Sequence, residues 1–116
     1  MFSKLVLVST VVGASVFFPS SAAAQVATGN IRGTVLDSSE AVIPNAAVTL
    51  TNVSTGFTRV VTCNERGDFD APLMPIGDYQ IAAGASGFQK KISSGVNLQV
   101  DQTAVMRIVL QPGAVT

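Results

Sequence analysis

The 116-residue chain is 47% hydrophobic and 12% charged, with seven basic and seven acidic side chains, one cysteine and no histidine. This balance gives no electrostatic reason to bind nucleic acid or an anionic membrane surface. One cysteine excludes an internal disulfide, and the missing histidine removes the commonest general base and metal ligand, so no Ser/His or Cys/His nucleophile can be assembled within the chain.

Residues 1–24 have the three parts of a secretory signal: Lys4, the apolar run Leu5–Phe18, and the small-residue stretch Ala22-Ala23-Ala24, which places cleavage before Gln25. The apolar run is short against the roughly 20 residues of a spanning helix. An uncleaved anchor is the competing reading, but no basic cluster follows the run. No cysteine follows it for lipid attachment either. The expected mature chain, residues 25–116, loses Lys4, carries a net charge of about −1 and suits one small domain.

Gln25–Gly29 is a small-residue lead-in. Asn30–Asp37 reads as the first strand, with Ile31, Gly33 and Val35 on one face and Gly33 marking a close approach or a bulge. Ser38–Asn45 is a loop. Ala46–Asn52 alternates, with Ala46, Val48 and Leu50 inward, and Ser54-Thr55-Gly56 turns the chain into the β-branched run Phe57–Thr62. Asn64-Glu65-Arg66-Gly67 has the makeup of a hairpin loop with a left-handed glycine. A strand around Phe69 and another over Tyr79–Ala83 flank a predicted compact turn built from Pro72, Pro75 and Gly77. Ser86-Gly87 turns into a predicted strand Phe88–Ile92, whose Lys90 and Lys91 read as exposed edge charges. Ser93-Ser94-Gly95 is predicted to turn again, before alternating runs over Val96–Val100 and Ala104–Leu110.

This amounts to seven or eight short strands with no helical period, the pattern of a sandwich or a small barrel. The predicted core is Ile31, Val35, Val48, Leu50, Val60, Phe69, Leu73, Tyr79, Ile81, Phe88, Val96, Leu98, Ile108 and Leu110.

The stretches Ile31-Arg-Gly-Thr-Val-Leu-Asp37 and Val42-Ile-Pro-Asn-Ala-Ala-Val-Thr-Leu-Thr-Asn52 resemble the opening of carboxypeptidase regulatory-like domains. Thr55-Gly56, Thr62-Cys-Asn-Glu-Arg-Gly-Asp-Phe69, Leu73-Met-Pro-Ile-Gly-Asp-Tyr79 and Gly87-Phe88 continue the likeness in register. The resemblance implies an all-β, transthyretin-like Greek-key β-sandwich, also grouped with carbohydrate-binding-like folds, here over residues 30–111 with a tail at 112–116. With its signal peptide, the chain most resembles the N-terminal domain of TonB-dependent receptors with Oar-like barrels. That likeness implies a location in the periplasm or at the outer membrane, and a chain that is a truncated copy or the leading part of a split receptor gene. Glu40 and Asn45 stand where the family usually shows glycine, Ile76 where a second proline is common, and Cys63 where threonine is more usual.

The individual chemical candidates are weak. Asp68 and Asp70 can share an outward face and suggest Ca²⁺ binding or a glycosidase pair, but no third ligand is near in sequence. Cys63 can be an intermolecular thiol or a small strand residue. Tyr79 and Phe88 suggest a sugar platform, though Tyr79 falls in the inward register. Arg59, Lys90 and Lys91 suggest a weak basic patch or a solvated rim. Asn52-Val-Ser54 matches the glycosylation sequon formally. The expectation is therefore a non-enzymatic module with no catalytic residues, cofactor or metal, binding a protein partner through strand edges or loops. Phe88–Ile92 is the first candidate edge, and the alternative is a carbohydrate-binding module.

Overall fold

A computed structural model describes residues 13–14 and 26–113. The cleavage point before Gln25 and most of the expected signal 1–24 lie outside the described residues, as do residues 114–116 of the expected tail. Seven strands and no helix occur among the described residues: β1 (Thr28–Asp37), β2 (Ala47–Asn52), β3 (Thr58–Thr62), β4 (Asp68–Pro75), β5 (Gly77–Gly84), β6 (Lys91–Leu98) and β7 (Thr103–Leu110). They form a three-stranded sheet of order β4-β1-β7 and a four-stranded sheet of order β3-β2-β5-β6. All pairings are antiparallel except that of β1 with β7. The two sheets share no ladder, so the fold is a sandwich and not a closed barrel.

The alternating apolar positions meet between the sheets. Ile31, Val35, Phe69, Ala71, Met74, Ile108 and Leu110 come from one side, and Val48, Leu50, Tyr79, Ile81, Ala83 and Leu98 from the other. Gly33 is a close approach: a Cβ there would fall 2.6 Å from the ring of Phe69, its partner across β1 and β4.

Five core positions differ from expectation. Val60 faces solvent, 62% exposed. It pairs with outward Thr49, while Val61 pairs with buried Val48, and directly opposed residues share a face. Leu73 is 70% exposed because β4 bulges: Pro72 and Leu73 together face Asn30, so the inward position passes to Met74. Phe88 and Val96 are only partly buried against the core. Ile43 fills core space from the β1–β2 loop, where no strand periodicity announces it.

The predicted turn over Pro72–Gly77 is mostly strand. β4 runs on to Pro75, and β5 starts at Gly77. Proline is tolerated because β4 is a sheet edge, where a missing N–H breaks no ladder. Leu73 adopts φ 55°, and its N–H donates to the Asn30 side chain at 3.1 Å. Ser93-Ser94-Gly95 is likewise no turn but a bulge within β6, with Gly95 at φ 77°. Strand pairing of the predicted Phe88–Ile92 element begins only at Lys91, Phe88 itself making one isolated bridge to Pro112. Asn64–Gly67 does hold a left-handed Gly67, φ 74°, but joins β3 to β4 across the two sheets instead of closing a hairpin.

The chain passes from β4 to β5 through one residue, Ile76, and that corner is built on Asn52. The Asn52 side chain is fully buried. Its Nδ2 donates to the Ile76 carbonyl at 3.2 Å, and its Oδ1 accepts from the amides of Ser54 at 3.0 Å and Thr55 at 3.2 Å. Gly77 sits against it at φ 139°, where a Cβ would lie 2.9 Å from Asn52 Nδ2. Buried Tyr79 closes the corner, its hydroxyl donating to the Pro75 carbonyl at 2.5 Å.

The β1–β2 loop keeps a glycine-like backbone without glycine: Glu40 has φ 68° and Asn45 φ 61°. It is organised by Asp37, whose Oδ1 accepts from the Ser39 hydroxyl at 2.6 Å and the amides of Ser39 at 2.8 Å and Ala41 at 3.0 Å. The Ser39 hydroxyl first, and then the Ala41 amide, hold the Asp37 carboxyl below its ordinary value.

These contacts set three expectations. Gly77→Val meets both the strained φ and the Asn52 contact, and Asn52→Ala strands the Ile76 carbonyl and two amides. Each is expected to cost on the order of 1–3 kcal/mol, read from urea denaturation. Glu40→Gly relieves a left-handed side chain worth roughly 1–2 kcal/mol but adds unfolded-state entropy of roughly 0.5–1 kcal/mol and removes an exposed ion pair with Arg107 worth roughly a few tenths, for a net gain of at most about 0.5 kcal/mol. Asn45→Gly should gain less, because asparagine tolerates this region. Finally, a carboxyl whose pKa is depressed by folding contributes stability above its unfolded pKa, and that stability is lost as pH falls through the folded value. Amide NMR shifts of Ser39 and Ala41 should therefore titrate together, below the ordinary range of an exposed aspartate.

Candidate functional site

The outward residues of β4 and β1 form a polar concavity. A cleft of about 640 Å³ opens there, lined by Arg32, Thr34, Thr62, Asn64, Asp68 and Asp70 together with the flank of Val105. The alternation that buries Phe69 and Ala71 turns Asp68 and Asp70 outward, as expected from their spacing. The two carboxylates do not act as a pair, however. Each meets the β1 residue directly opposite: Thr34 Oγ1 donates to Asp68 Oδ1 at 2.6 Å, and Arg32 Nε lies 3.9 Å from Asp70 Oδ1. These are cross-strand pairs that stabilise the sheet. No grouping of three or more His, Cys, Asp or Glu side chains suited to a metal occurs among the described residues.

The remaining candidates are dispersed by the fold. Cys63 follows β3 and is 3% exposed inside the core. Burial, and after it the Asp68 charge, pushes its thiol above the ordinary value, which disfavours the reactive thiolate. Tyr79 is buried and its hydroxyl is engaged, so it forms no platform with Phe88. Arg59 lies on β3 and Lys91 on β6, at opposite edges of the four-stranded sheet, so they do not assemble into a basic patch and the solvated-rim alternative fits. Arg59 instead stacks 5.5 Å from the Phe57 ring centroid and donates to the Pro72 carbonyl, tying β3 to β4 across the open side of the sandwich. The Asn52 carboxamide is buried and hydrogen-bonded, which withdraws it as a glycan acceptor.

A second cleft of about 510 Å³ lies on the other side of Val105, between Thr34, Leu36, Glu40, Met106 and Arg107. Glu40 Oε1 accepts from Arg107 Nη2 there at 3.1 Å. Val105, 77% exposed, thus stands as an apolar ridge bordering both clefts. The linear sequence did not single out Val105, because a valine alternating with inward residues reads as an ordinary outer-face position. Its neighbours across the sheet give it this setting.

The sandwich leaves four edge strands, β4 and β7 in one sheet and β3 and β6 in the other. The predicted interaction edge Phe88–Ile92 falls partly on one of them, since Lys91 and Ile92 open β6 while Phe88–Lys90 precede it.

Solved structures share this architecture at low sequence identity. The TIE protein of Bacillus anthracis matches with a TM-score of 0.63 and 19% identity over 74% of this chain and 17% of its own. A catechol 1,2-dioxygenase of Acinetobacter radioresistens matches with a TM-score of 0.64 and 12% identity over 81% of this chain and 55% of its own. A candidate carbohydrate-binding protein of Bacteroides uniformis matches with a TM-score of 0.61 and 12% identity over 74% of this chain and 42% of its own. The chain therefore spans less than two thirds of the length of each, and at these identities the likeness is one of fold. A search of curated proteins gives no match. The family model of the carboxypeptidase regulatory-like domain matches residues 30–111, in line with the motifs at Ile31–Asp37, Val42–Asn52 and Leu73–Tyr79. The chain belongs to the carboxypeptidase regulatory-like domain family.

Proposed function

We propose that this chain is a non-catalytic, exported interaction module, akin to the N-terminal domain of a TonB-dependent receptor, that binds a protein partner by adding a strand to one of its sheet edges. The observation that carries the reading is the open sandwich itself, two sheets with four edges and polar groups paired off against one another on the outer face. Backbone groups along an edge supply affinity, and alternate side chains supply selectivity. The secretory pattern of residues 1–24 supports export to the periplasm or outer membrane.

A second reading, carbohydrate binding, draws on the polar cleft of Arg32, Asn64, Asp68 and Asp70, whose planar side chains can match sugar hydroxyls, and on the fold likeness to the Bacteroides uniformis protein. It lacks an exposed aromatic face in that cleft, the usual apolar component of a ligand site.

The test expresses the full chain in a Gram-negative host, sequences its N-terminus and locates it by fractionation. The recovered protein is then titrated against a receptor plug domain. Processing before Gln25 and recovery outside the cytoplasm are expected, with Ile92→Glu on the exposed start of β6 weakening binding about tenfold, ~1.4 kcal/mol. Cytoplasmic retention would sink the export reading, and affinity unchanged by Ile92→Glu would remove β6 as the docking edge. Specific glycan retention lost on Asp70→Ala would favour the second reading instead.

A further inference from the structure

The four edges are not equivalent. β4 carries Pro72 and a bulge at Pro72–Leu73, and the Pro72 carbonyl is already taken by Arg59. β3 is five residues long. β6 is broken by the Ser94–Gly95 bulge and opens on Lys91. These are the usual devices by which sheets discourage edge pairing with a second copy, although the regular Lys91–Ile92 start of β6 stays open to a different partner. β7 is neither short, bulged nor interrupted by proline: it runs from Thr103 to Leu110 in unbroken parallel register with β1. Among the described residues, no strand pairs with its other side. Its one charge, Arg107, is matched by Glu40.

Resting on the strand-edge reading above, we propose that β7 pairs antiparallel with β7 of a second copy, joining two three-stranded sheets into one. The sequence of β7 selects the register. Opposed residues in an antiparallel ladder point their backbone groups, and their side chains, the same way. A two-fold axis must therefore place one residue opposite its own copy. Centring on Arg107 opposes like charges, which is unfavourable. Centring on Val105 joins only residues 103–107. Centring on Met106 joins residues 103–109 of each copy, sets small Ala104 against large Ile108, and lays the aliphatic stem of Arg107 over exposed Val105. No like charges then face each other. A second copy therefore satisfies both the size pattern and the charge pattern of the strand, and it covers the apolar ridge between the two clefts.

The full chain, purified as its host produces it, is measured by light scattering and sedimentation over a range of concentrations. A concentration-dependent dimer is expected. Val105→Lys places lysine opposite the other copy's Arg107 and Val105→Glu places a carboxylate there. The pair occurs twice per interface, so the dissociation constant should rise for the lysine variant and fall for the glutamate variant by roughly two- to thirty-fold. Val105 is exposed, so neither change threatens the fold. Met106→Cys should form an intermolecular disulfide, because directly opposed Cα atoms lie about 4.5–5.5 Å apart. Val105→Cys copies lie diagonally, roughly 7–8 Å apart, and should cross-link poorly. Buried Cys63 does not compete. A monomer up to about 1 mM, a dimer indifferent to both Val105 charges, or preferential cross-linking through Val105→Cys would overturn the proposal. Plug-domain binding that persists with a monomeric chain would leave the partner-edge reading standing alone.

Discussion

The fold depends on one buried carboxamide. Asn52 ends β2 at the point where β4 hands over to β5, and the hand-over takes a single residue between two sheets. So abrupt a corner leaves backbone groups that no ladder can satisfy. A buried polar group costs about 1–3 kcal/mol when left unpaired, so the corner requires an internal donor and acceptor at one place. Asn52 supplies both, binding the Ile76 carbonyl with its amide and the Ser54 and Thr55 amides with its oxygen. Gly77 must be bare to let the carboxamide in, and Tyr79 seals the other flank through Pro75. No buried side-chain polar atom is left without a partner among the described residues, so this polar knot lies in an apolar core without penalty.

The functional consequence of the architecture lies at its margins. A sandwich of two open sheets has backbone groups to spare along every edge, and the sequence treats each edge differently. Proline, bulges and brevity guard β4, β6 and β3, whereas β7 is regular and its one charge, Arg107, is matched by Glu40. On the outer face, carboxylates are matched with Thr34, Arg32 and Arg107 instead of converging on a point. Polar chemistry is spread along the surface, a distribution that supports the proposed role as an interaction module.

Much of this was legible in the residues themselves. Period-two runs such as Ala46–Leu50 and Tyr79–Ala83 identify strands and their inward faces, because alternation is a property of the chain alone. Gly33 and Gly67 announce a close approach and a left-handed turn, and both occur. The misreadings share one cause. Pro72, Ser94 and Gly95 look like turn residues and Leu73 like an inward one, yet on an edge strand the same residues make bulges, and edge status is a matter of neighbours. Val60 fails for a related reason, since a run of β-branched residues without clear alternation takes its facing from the partner strand.

Propensity, periodicity and turn chemistry act over a few residues, so the fold class, the strands and most of the inward side chains can be read from the residues alone. Which strands are edges, which loop glycine positions a non-glycine can hold, that Asn52 is the centre of a corner, and that Arg59 lies far from Lys91 all emerge from the folded chain. Each of these rests on contacts between residues distant in the chain, and a linear pattern carries no record of the geometry that joins them.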